Sequence, residues 1–405
     1  MEHHPRKARQ RAVAILFGAV LVNLIGFGII IPLLPFYGQR FGASELEIGA
    51  LFASFSIAQV LSSPLWGALS DRYGRKPFLF LALVGAAVGY VIMALAPSLE
   101  WLFVARLVDG AFGGIITTVR AYLADVLEES ERARGFGLIG AAFGIGFVVG
   151  PLLGSALAAW GLSAPAWAAA ALSFIAALWV AMGLPEPARH RTRSVGSFGE
   201  GFRRLWGHQM VRPFLLFDFL LWSSQAVYQT SFALLVHRRF GLTEQHVGYL
   251  VAFAGALGVL TQVAIVGPVA RRLGDGNAFW VGSLLAAVGL GTAVLAPSVP
   301  LFMLCVVPAA LGSGMAIPTL LSVLSRVTPS AYQGSLQGVT TSLEGLARIL
   351  GPLWGNGSMA LSPLLSFGSA AVVLAAVGLA AIPYVQRLPQ VHESSQGSAE
   401  RMAER

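Results

Sequence analysis

Gly67-Ala-Leu-Ser-Asp71-Arg72-Tyr-Gly74-Arg75-Lys76-Pro77 is a short, charged, glycine-punctuated turn set between two long apolar runs. The run before it, about 48–69, and the run after it, about 78–96, are each long enough to cross a bilayer, which takes about 20 helical residues for about 30 Å of hydrocarbon. Four charges wedged between two such helices need a reason, and that reason is the sharpest functional clue in the chain.

The pattern of apolar runs recurs along the whole sequence. Of the 405 residues, 56% are hydrophobic and 11% charged, against about 25% charged in an ordinary soluble domain. The runs are continuously apolar, without the roughly ten-residue alternation of a transmembrane β-barrel. The expected fold class is therefore an all-α polytopic membrane protein with twelve transmembrane helices. They fall at about 12–36, 46–69, 77–97, 100–123, 134–159, 165–184, 212–236, 245–269, 277–297, 299–325, 334–358 and 364–386, with boundaries uncertain by about two to four residues. Residues 1–184 form a first six-helix bundle, and 212–388 a second. Between them 185–211 is a polar, basic linker, and 389–405 is a polar, solvated tail. Residues 1–11 are basic, and the run after them has no small-residue cleavage site, so it reads as a retained first span rather than a cleaved signal.

All but six of the 27 lysines and arginines fall on one side of this topology. Arg40, Arg238 and Arg239 lie on the other side; Arg106, Arg120 and Arg348 lie inside spans. The positive-inside bias puts both termini, the linker and the 67–77 turn in the cytoplasm, with the protein in the plasma (inner) membrane. The same distribution accounts for the net charge of +8 without a nucleic-acid partner. The partners expected are the lipid bilayer, protons and a small-molecule substrate, and a monomer suffices for this architecture. The single cysteine, Cys305, excludes a disulfide framework. His3, His4, His190, His208, His237, His246 and His392 show no ligand spacing within a span, and no Walker sequence is present. No cofactor, metal or enzymatic activity is expected.

The two halves carry matching landmarks. Gly67-Ala-Leu-Ser-Asp-Arg-Tyr-Gly recurs as Gly267-Pro-Val-Ala-Arg-Arg-Leu-Gly, Ala96-Pro97-Ser98 as Ala296-Pro297-Ser298, and Gly150-Pro151 as Gly351-Pro352. Duplicated halves with a midplane site between them are a transporter signature. The second copy of the turn is degenerate, with Arg271 where the first has Asp71.

With these motifs the sequence resembles the major facilitator superfamily, and within it the twelve-helix drug/proton antiporters that include the tetracycline-type efflux pumps. The resemblance covers essentially the whole chain. The 67–77 turn is similar to the family's loop 2–3 signature at Gly67, Leu69, Asp71, Arg72, Gly74, Arg75 and Lys76. Arg106-Leu-Val-Asp109-Gly110 resembles the family's R-x-x-q-G element, with Asp109 where Gln or a small residue is usual. Gly146-x-x-x-Gly150-Pro151-x-x-Gly154-Ser155 resembles the antiporter motif GxxxGPxxGG with Ser155 in place of the last glycine, which favours export over import. One departure stands out. In the tetracycline-type pumps an acid precedes G-x-G-x-x-x-P in the first span; here Asn23 precedes Gly26-Phe-Gly28-Ile-Ile-Ile-Pro32. Asn23 cannot carry a proton, so a proton carrier must sit elsewhere, and tetracycline is disfavoured as the substrate.

The resemblance implies a conformational latch. Asp71 is expected to accept hydrogen bonds at the positively poled start of the eleventh span, and Arg75 to pair with Asp125 at the end of the fourth. Together they hold the cytoplasmic side shut. Gly67 and Gly74 permit close passage and a tight turn. Arg72 and Lys76 fit equally well as positive-inside anchors.

Charges inside the membrane cost about 2.5–3.5 kcal/mol each on insertion scales, so a functional role is their default reading. Asp109 and Glu344 lie near midplane and are the leading candidates for the proton and substrate steps. Asp218, Arg120 and Arg348 lie nearer the cytoplasmic side, and Arg106 nearer the outside. On a continuous helix Asp109, Gly113, Thr117 and Arg120 share a face, as do Asp218, Trp222, Gln225 and Gln229 on the seventh span. Both stripes are expected to face a central cavity. The alternatives are local ion pairs, Arg106 with Asp109 and Glu344 with Arg348. Burial raises a carboxyl's pKa and a nearby cation lowers it, so an acid beside an arginine can couple proton entry to substrate release. Gly146, Gly150 and Gly154 are spaced for close helix packing, and Pro151 weakens the fifth helix; packing and gating are both open to them. Pro32 and Pro35 should bend the first span. Met303, Met315, Trp222 and Trp354 suit either a drug pocket or ordinary packing.

The function this points to is a secondary transporter exporting a small amphipathic compound by proton antiport. Uptake or export of a metabolite such as a sugar, amino acid or lipid precursor is the alternative. A non-transporting membrane sensor is the alternative of another class.

Overall fold

The computed structural model describes residues 6–127, 129–187 and 198–388. The tail 389–405 and part of the linker lie outside the described residues. In chain order the helices are α1 (Arg6–Ile30), α2 (Leu34–Arg40), α3 (Glu45–Tyr73), α4 (Arg75–Leu95), α5 (Leu99–Ala111), α6 (Ile115–Val126), α7 (Glu129–Ala158), α8 (Ser163–Gly183) and α9 (Phe198–Gly207). They continue as α10 (Val211–Phe240), α11 (Glu244–Leu260), a π-turn (Thr261–Ile265), α12 (Val266–Leu273), α13 (Asp275–Ala293), α14 (Val299–Val327), α15 (Gln333–Leu361) and α16 (Pro363–Val385). No strand occurs among the described residues. Ten segments are long and apolar enough to cross a membrane. The two remaining long helices, α10 and α15, are 30 and 29 residues long. They are less apolar because Asp218, Gln225 and Gln229 sit on one, and Gln337, Glu344 and Arg348 on the other.

Three expected spans are not simple helices. The first breaks at residues 31–33 instead of bending. Pro32 has no N–H to donate, and the chain restarts as α2. The fourth is interrupted at residues 112–114, where two consecutive glycines, Gly113 and Gly114, remove the side chains that favour helix. The eighth passes through the π-turn. Within the linker a short helix, α9, forms. Phe202, Leu205 and Trp206 share one face of α9, Leu205 is buried, and Phe202 stacks on Trp206.

Contacts run mostly within α1–α8 and within α10–α16. The two sets meet where α3 packs on α15 and α7 on α11. A Cβ on Gly49 of α3 would lie 2.6 Å from the Pro352 carbonyl oxygen of α15, and one on Gly255 of α11 would lie 2.7 Å from the Phe147 carbonyl oxygen of α7. Val60 still reaches Gly345, and Val259 still reaches Gly144. Beyond those points, toward the 67–77 turn, the pairs separate. Gly67, Gly137, Gly140, Gly258 and Gly334 all face open space, and Leu65, Leu69 and Val263 are exposed.

The opposite end is shut. Arg238 of α10 forms an ion pair with Glu45 of α3 at 3.4 Å and donates to the Met359 carbonyl of α15 at 3.0 Å. His237 meets Phe36 of α2 edge-on, with ring centroids 5.2 Å apart. Ser44 and Glu47 cap the start of α3 there with a reciprocal capping box. The molecule thus holds a cleft open at the turn end and closed at the far end.

The glycines of the fifth span pack α7 on α1. A Cβ on Gly28 would sit 2.6 Å from the Gly146 carbonyl oxygen, one on Gly150 would sit 2.7 Å from Gly28 Cα, and one on Gly154 would sit 2.9 Å from the Ile29 carbonyl oxygen. Overpacking a fitted interior costs about 1–3 kcal/mol. Gly150→Leu should therefore lower the thermal midpoint in detergent, while Gly140→Leu, which enters open space, leaves it unchanged.

Candidate functional site

At the turn, α3 ends on Ser70-Asp71-Arg72-Tyr73 and the chain reverses into α4 through Gly74, whose φ of +112° is a glycine conformation. Arg75 is the centre of the arrangement. Its Nε donates to Asp125 Oδ2 of α6 at 3.0 Å, its Nη1 donates to Ser70 Oγ at 2.8 Å, and it also pairs with Asp71. The side chains of Arg75 and Asp125 are 10% and 11% exposed. The first turn of α4 carries no acid of its own, and Glu186 supplies one from beyond the end of α8. Glu186 accepts the backbone N–H groups of Arg75 at 2.6 Å and Lys76 at 3.0 Å. This places a carboxylate on the positive pole of a helix. A Cβ on Gly74 would lie 2.7 Å from that carboxylate. Arg72 lies over the Tyr73 ring.

Asp71 does not meet the start of the eleventh span. Its side chain is 60% exposed and its ion-pair partner is Arg75. The physical reason is the divergence of α3 from α15, which leaves the α15 N-terminus across the open cleft.

The fourth span departs most from its expected face. Because the helix breaks after Asp109, that residue does not share a face with Gly113, Thr117 and Arg120. Asp109 is 4% exposed and its carboxylate takes a 2.7 Å contact from Arg106 Nη1, the local pair. A Cβ on Gly89 of α4 would lie 2.9 Å from Asp109 Cβ, and the Arg106 guanidinium sits 4.3 Å above the Phe55 ring of α3. The pair is thus packed among α3, α4 and α5 rather than lining the cleft. The carbonyls freed by the break are satisfied from α3. Gln59 donates to Gly113 at 2.9 Å, and the Trp66 indole donates to Ala111 at 2.5 Å.

The cleft proper receives other charges. Thr117 and Arg120 of α6 are exposed. Arg120 is within electrostatic reach of Glu344 on α15, as is Arg348. Glu344 acts in turn on Asp218 of α10. Asp218 is 1% exposed, and its Oδ2 has no hydrogen-bond partner among the described residues. The buried Trp222 Nε1 and Arg348 Nε are likewise without one. Glu344 and Arg348 form no ion pair within 4 Å, so the expected i,i+4 alternative is not made. Gln225, Gln229 and, on α1, Asn23 are half-buried. Met315 is buried, and the half-buried Trp354 donates its indole N–H to Ser369 Oγ of α16 at 3.1 Å. No group of His, Cys, Asp and Glu among the described residues is arranged to hold a metal.

Sequence reasoning missed Glu186, Ser70, Gln59, Trp66 and the Glu45–Arg238 contact. All but Ser70, which sits five residues before Arg75, act across long sequence separations. The one available signal was an acid, Glu186, standing between two prolines immediately after the sixth span.

The Major Facilitator Superfamily family model matches residues 16–352. The class C tetracycline resistance protein of Escherichia coli is 34% identical, over 93% of this chain and 96% of that protein. Multidrug resistance protein 1 of Bacillus subtilis (strain 168) is 26% identical, over 91% of this chain and 94% of that protein. Among solved structures, a bacterial homolog of the human lysosomal transporter Spinster, in an inward-facing and occupied conformation, aligns with a TM-score of 0.77 at 16% identity, covering 94% of this chain and 95% of that one.

The turn's geometry separates two carboxylates by their burial. Removing one partner of a buried pair costs about 3–5 kcal/mol, whereas an exposed ion pair is worth about 0–1 kcal/mol. Asp125→Asn should lower the thermal midpoint clearly, and Asp71→Asn hardly at all, when both are measured in the same detergent.

Proposed function

The chain belongs to the major facilitator superfamily, and from that premise we propose that it exports a small amphipathic organic compound from the cytoplasm in exchange for protons. The observation that carries this reading is the cleft, open at one end and shut at the other, with an unpartnered carboxylate, Asp218, buried beside Glu344. Relatives named for tetracycline and multidrug resistance support drug-like cargo. The antiporter motif on α7 supports export. The basic side of the topology supports a cytoplasmic turn end, with both termini on that side.

On this reading residues 1–184 and 212–388 rock against one another about the midplane, with 185–211 as the tether. Substrate enters the cleft from the turn end. A carboxylate pair in a low-dielectric cleft holds a proton while shut away from water and releases it when water enters. Asp218 and Glu344 take that role, with Arg120 and Arg348 as the charges that change partners. The proton step thus moves from Asp109 to Asp218, because Asp109 is spent on Arg106 away from the cleft. Trp222, Gln225, Gln229 and Asn23 contact substrate. When the turn end closes, Asp71 leaves Arg75 for the start of α15, whose first turn holds no acid. The Arg75–Asp125 pair keeps the turn rigid meanwhile.

Purified protein in liposomes under an imposed pH gradient tests this directly. A cationic dye and tetracycline serve as trial substrates. The wild type should drive dye movement and acidify the opposite compartment. Glu344→Gln and Asp218→Asn should abolish gradient-driven movement yet keep dye exchange in the absence of a gradient. Gradient-driven movement that survives both substitutions contradicts the assignment.

A further inference from the structure

The second span of each half is bracketed by the same landmarks at different lengths. Gly42 and Gly241 precede α3 and α11, Gly74 and Gly274 follow α3 and α12, and all four take positive φ. Gly74 comes 32 residues after Gly42, and Gly274 comes 33 after Gly241. The alignment shows where the difference lies. Arg40-Phe41-Gly42 matches Arg239-Phe240-Gly241, and Val60-Leu61-Ser62 matches Val259-Leu260-Thr261, both at an offset of 199. Gly67 matches Gly267 at an offset of 200. The second copy therefore holds one extra residue between Thr261 and Gly267. The π-turn, Thr261–Ile265, falls there. The Val266 N–H reaches back five residues to the Thr261 carbonyl, a turn one residue wider than that of an α-helix. The extra residue is absorbed in that turn, and the landmarks on either side keep their places.

The π-turn also sits at a mechanical boundary. The last contacts between the two sets of helices are equivalent in the two copies, Val60 on Gly345 and Val259 on Gly144. Two residues past Val259, Thr261 is 0% exposed, and a Cβ on Gly314 of α14 would lie 3.0 Å from its Cβ. Beyond it Val263 is 81% exposed, and no residue of α12 is buried. The first copy is built the other way round. Its matching glycine, Gly114, faces Trp66 of α3, but there the fourth span breaks and α3 runs on as one α-helix. Gln59 and Trp66 tie that break from α3. Thr261 Oγ1 instead donates within its own span, to the Leu257 carbonyl at 2.7 Å.

We propose that the π-turn is a hinge: as the turn end of the cleft opens and closes, α12 swings about Thr261–Ile265 while α11 stays seated on α7 and Thr261 on Gly314. A wide turn can travel along a helix by exchanging one hydrogen-bond partner for the next, so the span bends there without losing its ladder. The two arms of the cleft then differ. The α3 arm moves as one rigid helix, and the eighth span is jointed at the depth where its contact with α7 ends. The hinge rests on the reading that the turn end closes.

The test uses the full-length protein in lipid nanodiscs with Cys305→Ser as background. Spin labels at Tyr249→Cys and Leu273→Cys, both exposed, bracket the π-turn across 24 residues, about 36 Å of helix. Labels at Leu46→Cys and Leu69→Cys bracket α3 in the same way, and Leu69→Cys with Gln337→Cys reports closure. Over a pH series that shifts the closure distance, the 249–273 distance should split into two populations that follow it, while the 46–69 distance stays single. Deletion of Val263 returns the span to the length of its counterpart. It should leave the thermal midpoint unchanged, remove the second 249–273 population and stop gradient-driven dye movement. Deletion of the buried Ala252, which takes Gly255 and Val259 out of register with Gly248, should lower the midpoint. A single 249–273 distance while the closure distance changes, or two populations that persist without Val263, overturns the hinge alone. A midpoint that falls as far without Val263 as without Ala252 overturns the absorbed extra residue. A closure distance that never changes overturns closure itself, and the hinge with it.

Discussion

Backbone contact at glycine is the constraint on which the rest of this structure depends. In a membrane, helices gain little from burying apolar side chains against one another, so close approach and its dispersion energy must hold them together. Gly49 on the Pro352 carbonyl and Gly255 on the Phe147 carbonyl bring the two sets of helices into that approach. Both contacts sit toward the far end. There the Glu45–Arg238 pair and the Phe36–His237 contact complete the seal. Toward the turn end, glycines on the same helix pairs, Gly67, Gly137, Gly140, Gly258 and Gly334, face open space. A pivot with contact on one side and charge on the other results.

The charges are then sorted by where they stand relative to that pivot. Arg75–Asp125 is buried within its own set, and Asp275–Arg326 pairs within the other with Arg326 exposed. Arg106–Asp109 is likewise internal, wedged by Phe55 and Gly89. Asp71, Arg271 and Arg272 are exposed, and Asp71 pairs with Arg75. Asp218 is buried within electrostatic reach of Glu344, and its Oδ2 has no hydrogen-bond partner among the described residues. The same residue types thus do three jobs, and depth and helix continuity decide which.

Much of this was legible in the sequence because it is local or periodic. Apolar run lengths mark the helices, the offset of 200 marks the repeat, and the spacing of Gly146, Gly150 and Gly154 marks a packing face. The Arg75–Asp125 pair followed from the resemblance. Other features were not legible. The break at Gly113-Gly114 looks like ordinary glycine in a helix, yet it ends α5 before Thr117 and Arg120, so Asp109 and those two do not lie on one continuous helix face. The resemblance puts the partner of Asp71 at the start of the eleventh span, and here Asp71 pairs with Arg75. Glu186 reaches Arg75 across 111 residues, and no periodicity encodes such a contact. Arg271 stands where the first turn has Asp71, and nothing in the sequence pattern encodes the Asp275–Arg326 pair that the second turn forms.

The central claim is a cleft that reaches water at the turn end alone while the far end is shut. Thr117 lies exposed on α6, one turn from Arg120. In the Cys305→Ser background Thr117→Cys provides a single thiol at that place. With no substrate present, a membrane-impermeant thiol reagent should label it from the face that carries the 67–77 turn and be excluded from the opposite face. Labelling from the opposite face, or equally from both, would contradict the account.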